Sequence, residues 1–202
     1  MDKNIAIKQL KALEKYTLGE EMRLAAEWEK KWQILISTIL SAQTRDETTI
    51  KYSNVLYKKY TTLEKLSRAK LSDVKKIIRP VNFYKNKSKN IIETAKIITG
   101  KYKGKIPSKI EELLELPGVG RKVANVYLVE AYDAPAIGID THCKRLSIKL
   151  GWTSNTHPHK IEKDLEKLFP KKYWNSINYI LVRFGRMYRT KDEDKILEKI
   201  KN

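Results

Sequence analysis

Sulfur is nearly absent from this chain: its 202 residues include one cysteine, Cys143, which excludes an intrachain disulfide and leaves too few thiolates for a zinc or iron–sulfur site. The three histidines, His142, His157 and His159, offer no metal-ligand spacing either, so no metal and no other cofactor is expected. Apolar runs are short as well. None approaches the roughly 18 residues that cross a bilayer, and the opening Met1-Asp2-Lys3-Asn4 lacks an apolar signal core, so a reducing cytoplasm is the expected location and no membrane partner is expected. Acidic residues are the next shortage, with 24 Asp plus Glu against 42 Lys plus Arg, a formal charge of +18 and a pI near 9.8. A thermophile's Lys- and Glu-rich surface adds both signs and does not leave such an excess. Because the basic residues run from end to end instead of forming one polybasic tail, nucleic acid is the favoured polyanion over a membrane.

Strands bounded by turn residues are missing too, and apolar residues recur instead at helical spacing. Trp32, Leu35, Ile36, Ile39 and Leu40 form one stripe and Ile91, Ile92, Ala95 and Ile98 another. Thr44-Arg45-Asp46-Glu47, Thr61-Thr62-Leu63-Glu64 and Ser108-Lys109-Ile110-Glu111 match the capping box, and His157-Pro158 opens a further helix with Pro at its first position. The pattern predicts an all-α protein of roughly nine or ten helices with short connections. Lys85–Lys89 and Lys101–Lys105 read as solvated basic faces. The length suits one compact core or two small lobes sharing a cleft.

The most informative segment is Leu113-Leu114-Glu115-Leu116-Pro117-Gly118-Val119-Gly120-Arg121-Lys122-Val123-Ala124-Asn125. The first helix must stop at Leu116 before Pro117, and two glycines one residue apart permit a tight turn with outward-facing amides. The next helix starts at once, and its amino end carries a partial positive charge. Gly118, Val119, Gly120 and Arg121 therefore form an anion site suited to a DNA phosphate, which side chains at the glycines would block. An ordinary chain reversal uses the same turn, but the longer run Leu-Pro-Gly-Val-Gly-Arg-Lys is the helix-hairpin-helix signature.

Together with Ile139-Asp140-Thr141-His142, this segment closely resembles the endonuclease III branch of the helix-hairpin-helix (HhH-GPD) DNA glycosylases. Ile39-Leu40-Ser41-Ala42-Gln43 and Phe83-Tyr84-Lys85-Asn86-Lys87-Ser88 resemble two further family segments in the expected order, so the likeness spans about residues 30 to 190. It implies a catalytic pair. Lys122 is the amine that attacks the sugar C1′ and forms a Schiff base. Asp140, which also suits an N-cap, is the carboxylate that stabilises charge on the sugar. Gln43 and Phe83 match residues that fill the stack behind an extruded base, although the first also suits a helix end and the second a core. His142 is a candidate phosphate contact or a neighbour of the cap, and Ser41 and Asp46 match positions near the family's base pocket. Most members close with four cysteines holding a [4Fe-4S] cluster. Here the chain passes Phe184-Gly185-Arg186-Met187-Tyr188-Arg189-Thr190 without them, so no cluster is expected, and a charged helix from about Asp192 to Ile200 is expected there instead.

The resemblance implies two helical lobes with a DNA-binding cleft. A six-helix lobe over 22–133 carries the hairpin at about 113–125, and residues 1–21 plus 134–202 form a second lobe carrying Asp140. The implied function is a monomeric bifunctional DNA glycosylase and abasic-site lyase of base excision repair, acting on oxidised pyrimidines in double-stranded DNA. A monofunctional thymine or uracil mismatch glycosylase is the enzymatic alternative, which Lys122 argues against. A non-enzymatic hairpin module is the other, which Asp140 argues against.

Overall fold

The computed structural model describes residues 1–19, 23–188 and 191–201. Among these residues there are twelve α-helices, one short 3-10 turn and no strand, so the fold is all-α. The chain divides into two compact units, one spanning Arg23–Tyr132 and the other joining Met1–Met22 to Asp133–Asn202. Residue 22, the expected boundary, lies outside the described residues, as do Arg189 and Thr190.

The unit Arg23–Tyr132 contains α2 (Lys31–Ser41), α3 (Asp46–Lys59), α4 (Leu63–Ser67), α5 (Leu71–Ile77), α6 (Tyr84–Gly100), α7 (Ile110–Leu114) and α8 (Arg121–Tyr132). That is seven helices where six were expected, α4 and α5 being separate short ones. Helix α2 is its axis. Every residue from Ile34 to Leu40 is buried, as befits a helix apolar on nearly all sides, and α3, α6 and α8 pack around it. Its two buried hydroxyls bond backward along the helix, Ser37 to the Gln33 carbonyl at 2.7 Å and Thr38 to that of Ile34 at 2.6 Å, so neither leaves an unsatisfied polar group in the core. The second stripe, Ile91, Ile92, Ala95 and Ile98 on α6, is buried as well.

The other unit contains α1 (Lys3–Thr17), α9 (Thr141–Lys149), α10 (Pro158–Leu168), the 3-10 turn Lys171–Tyr173, α11 (Trp174–Met187) and α12 (Lys191–Lys201). Ala6, Leu10 and Leu13 of α1 share one apolar cluster with Cys143 and Leu146 of α9 and with Leu181 and Phe184 of α11. Helix α12 joins that cluster through Leu197 and is fastened to α9 by Glu193. The Glu193 side chain is 2% exposed and meets Arg145 Nη2 at 2.6 Å and Lys149 Nζ at 2.9 Å. Two cations on one buried carboxylate offset its desolvation.

Pro158 stands at the first turn of α10 after His157, as expected. The three capping boxes do not form as read. Arg45 and Lys109 occupy the N-cap positions of α3 and α7 without side-chain caps, and Thr62, one residue later than expected, caps α4 by accepting from the Lys65 amide at 3.2 Å. The Thr44 hydroxyl instead accepts from Lys87 Nζ at 3.1 Å. The helix count also exceeds the roughly nine or ten expected, because α4 and α7 are five-residue helices, too short to show a periodic stripe. Among the described residues, no helix is long and apolar enough to cross a membrane.

Candidate active site

The hairpin forms between α7 and α8. Helix α7 ends at Leu114, two residues before the expected stop. Leu116 is buried, and the Val119 amide closes the turn onto its carbonyl at 3.0 Å. Helix α6 braces the bend, Thr94 donating to the Pro117 carbonyl at 2.9 Å. The two glycines do different jobs. Gly118 lies in the left-handed region at φ 80°, and a Cβ there would meet Asn90 Nδ2 at 2.9 Å and Ile39 Cγ2 at 3.1 Å, so both its conformation and its packing need glycine. Gly120 has an ordinary φ, and a Cβ on it would meet nothing within 4 Å. Its face is open, directly before the first turn of α8, where amides point out of the helix end. Val119 corrects the expectation of a uniformly outward turn: its side chain is 5% exposed and its amide is used inside the hairpin.

Arg121 and Lys122, both half-buried, form the first turn of α8. Lys122 is close enough to Lys87 for the two positive charges to repel. On the other unit Asp140 is the N-cap of α9, with extended backbone and its Oδ1 accepting from the Cys143 amide at 2.7 Å. The segment before it is pinned where Asn178 donates to the Gly138 carbonyl. His142, in the first turn of α9, is half-buried with Nδ1 3.4 Å from Arg145 Nη2. Burial holds its pKa below the usual imidazole value, and Arg145 and Arg186 add to this against Asp140 and Glu193. It packs against Gly185 of α11, where a Cβ would collide with its ring. These contacts pack the ring beside the cap.

Gln43 and Phe83 are brought together in the Arg23–Tyr132 unit. Both adopt left-handed backbone conformations, φ 54° and 57°, rare for residues with a side chain. Both are exposed, Phe83 to 61%, which removes the core reading of Phe83. Asn82 Nδ2 donates to the Gln43 carbonyl and so ties the two segments together. Gln43 also follows the C-cap Ala42 of α2, so its backbone ends the helix while its side chain stays outside. Ser41 donates inward to the Thr38 carbonyl at 2.9 Å. Asp46 is 8% exposed and accepts from the Ala25 amide at 3.0 Å.

Sequence reasoning missed Lys87. It lies in the stretch read as a solvated face, yet it is 6% exposed and donates to the carbonyls of Leu40 and Ala42 and to Thr44 Oγ1. Nothing local signals this, because the acceptors lie more than 40 residues away in sequence.

The residues present do not fit an iron–sulfur cluster. The sole cysteine, Cys143, is buried in the core beneath α9, where burial pushes its thiol pKa up and keeps it protonated. Among the described residues, no group of three or more His, Cys, Asp and Glu is placed to hold a metal ion.

The chain resembles known proteins in both sequence and fold. Residues 36–171 match the HhH-GPD superfamily base excision DNA repair protein family. Endonuclease III of Thermotoga maritima is 43% identical over 155 residues, covering 77% of this chain and 73% of the relative. Endonuclease III of Synechocystis is 40% identical over 155 residues, covering 76% and 71%. Among solved structures, a trapped covalent intermediate of endonuclease III with DNA superimposes with a TM-score of 0.87 at 32% identity, covering 95% of this chain and 90% of that one. The chain thus belongs to the endonuclease III family of HhH-GPD base excision repair proteins and is a DNA glycosylase of that type.

Proposed function

We propose that this protein is a bifunctional glycosylase and abasic-site lyase that removes oxidised pyrimidines from duplex DNA inside the cell. The observation that carries this reading is a lysine, Lys122, in the first turn of α8, immediately beyond the open backbone face of Gly120. A phosphate held at that face brings the adjoining sugar toward the lysine amine. The neutral amine attacks C1′ as the bond from C1′ to the base nitrogen breaks, and the base departs with the bonding electrons and takes up a proton. The Lys122 nitrogen then loses a proton, and its lone pair expels the ring oxygen from C1′; that oxygen takes up a proton to become a hydroxyl, leaving the opened sugar as a protonated imine. Removal of a C2′ proton then expels the 3′ phosphate and nicks the strand.

Asp140 is the fixed anion that opposes the positive charge growing on the sugar, and its bond to the Cys143 amide holds the carboxylate in place. Gln43 and Phe83, exposed and tied together, fill the stack when the base leaves. A relative captured as a covalent intermediate with DNA supports a covalent route. No step uses an iron–sulfur cluster, and the purified protein should be colourless, without stoichiometric iron and active in chelator.

The test is a panel of duplexes carrying an oxidised pyrimidine, thymine or uracil opposite guanine, or a preformed abasic site. Base release and nicking at the oxidised pyrimidine are expected. Release of mismatched thymine without nicking would replace the reading by the monofunctional one, and binding without any cleavage by a hairpin module.

A further inference from the structure

Among the described residues, Lys87 is the one buried lysine, 6% exposed in the first turn of α6. An ammonium has three donors, and here each finds an oxygen: the carbonyls of Leu40 at 2.7 Å and Ala42 at 2.5 Å, and Thr44 Oγ1 at 3.1 Å. All three are neutral. The cation therefore sits against the carboxyl end of α2, where the helix dipole favours it, although burial and the repulsion of Lys122 oppose its charge. Its acceptors lie on both sides of Gln43 in the chain. Asn82 bonds the Gln43 carbonyl itself. The segment from 40 to 44 is thus fixed by four hydrogen bonds from residues 82 and 87, and within it Gln43 is held at φ 54° with its side chain exposed. An unsupported glutamine does not stay in that conformation.

We infer that Lys87 is a positioning residue, which clamps the turn after α2 so that Gln43 stands ready to enter the gap left by an extruded base. This rests on the proposed role of Gln43 as a stack filler. The clamp acts before DNA arrives: a preset side chain enters the stack without first ordering its own backbone. Without the clamp that ordering is required during extrusion. A preformed abasic site has no base to unstack and should depend on the clamp far less.

The experiment measures, under single turnover, the rate of base release from a stable lesion duplex divided by the rate of cleavage of a preformed abasic site. This ratio is insensitive to the fraction of folded protein. Gln43→Ala should lower it. Lys87→Met should lower it roughly five- to thirty-fold, the effect of freeing about one backbone residue. The double variant should fall no further than Gln43→Ala alone, since Lys87 acts through that side chain; a residue that merely supports the fold would not show this dependence. If Lys87→Met melts below the assay temperature, Lys87→Gln is read in the same way. A normal ratio in the Lys87 variant, with a lowered one in Gln43→Ala, overturns the positioning role. So do two losses that multiply. A normal ratio in Gln43→Ala itself removes the stack-filler reading, and the clamp's function with it.

Discussion

The two hairpin glycines make opposite demands, and alanine at each separates them. At Gly118 an alanine must adopt φ 80°, which costs about 1–2 kcal/mol for a residue with a Cβ. The new methyl also stands 2.9 Å from Asn90 Nδ2 and 3.1 Å from Ile39 Cγ2. Asn90 is half-buried and has room to turn, whereas Ile39 is 2% exposed within α2 and has little, so crowding adds about 1–2 kcal/mol. The sum, about 2–4 kcal/mol, corresponds to a fall in melting temperature of roughly 4–16 °C for a chain of this size. At Gly120 the same methyl meets nothing within 4 Å and no left-handed φ is required, so stability should stay within about 0.5 kcal/mol. Its effect falls on DNA. If the backbone there donates to a phosphate, blocking the approach removes a charge-assisted hydrogen bond, about 1.5–3 kcal/mol, or roughly 10- to 150-fold in Kd. Thermal denaturation followed by circular dichroism and anisotropy titration of a labelled undamaged duplex measure the two effects. A Gly120→Ala protein that binds as tightly as wild type would refute phosphate capture at the hairpin, and a Gly118→Ala protein with unchanged melting would refute the packing argument.

Asp140→Asn should leave melting nearly unchanged, because asparagine caps a helix about as well as aspartate, while base release slows by at least a hundredfold; equal losses of binding and turnover would make the residue structural. Glu193→Ala should destabilise the protein by about 1–3 kcal/mol in thermal melts, less than the rupture of a fully buried pair, since the Arg145 and Lys149 side chains remain 39% and 35% exposed. Lys87 should leave a signature in the pH dependence of stability. Its pKa is lowered from 10.5 to about 8, first by burial and then by Lys122, so between those values the unfolded chain keeps a proton that the folded chain releases. Stability from this group therefore rises with pH from about 8 to 10.5 and is lost as pH falls through 8. Subtracting the Lys87→Met curve from the wild-type curve should show a rise of up to about 3 kcal/mol across that window, and a flat difference would contradict the burial of the ammonium.

The fold class was legible because helical periodicity survives in α2 and α6 whatever surrounds them, and the hairpin because Pro117 and Gly118 restrict the backbone locally. The Asp140 cap is legible for the same reason, being an interaction within four consecutive residues. What escaped was decided by distant partners. The neighbours of Thr44 suit an N-cap, but its hydroxyl is engaged by Lys87, 43 residues away, and the helix begins at Asp46 without it. Lys87 lies among other lysines and so suits a solvated face, and only the fold brings around it the three oxygens of Leu40, Ala42 and Thr44. Phe83 was ambiguous between core and surface, since an aromatic beside Pro80 and Tyr84 suits either; its left-handed backbone turns it outward.

The central claim is that Lys122 is the nucleophile. An imine is reducible, so borohydride added during reaction with an abasic duplex should trap a covalent protein–DNA adduct of full yield in the wild type. Lys122→Ala should give none while still binding the duplex through the Gly118–Gly120 turn. A Lys122→Ala protein that traps at wild-type yield would show that another amine attacks the sugar and contradict the account.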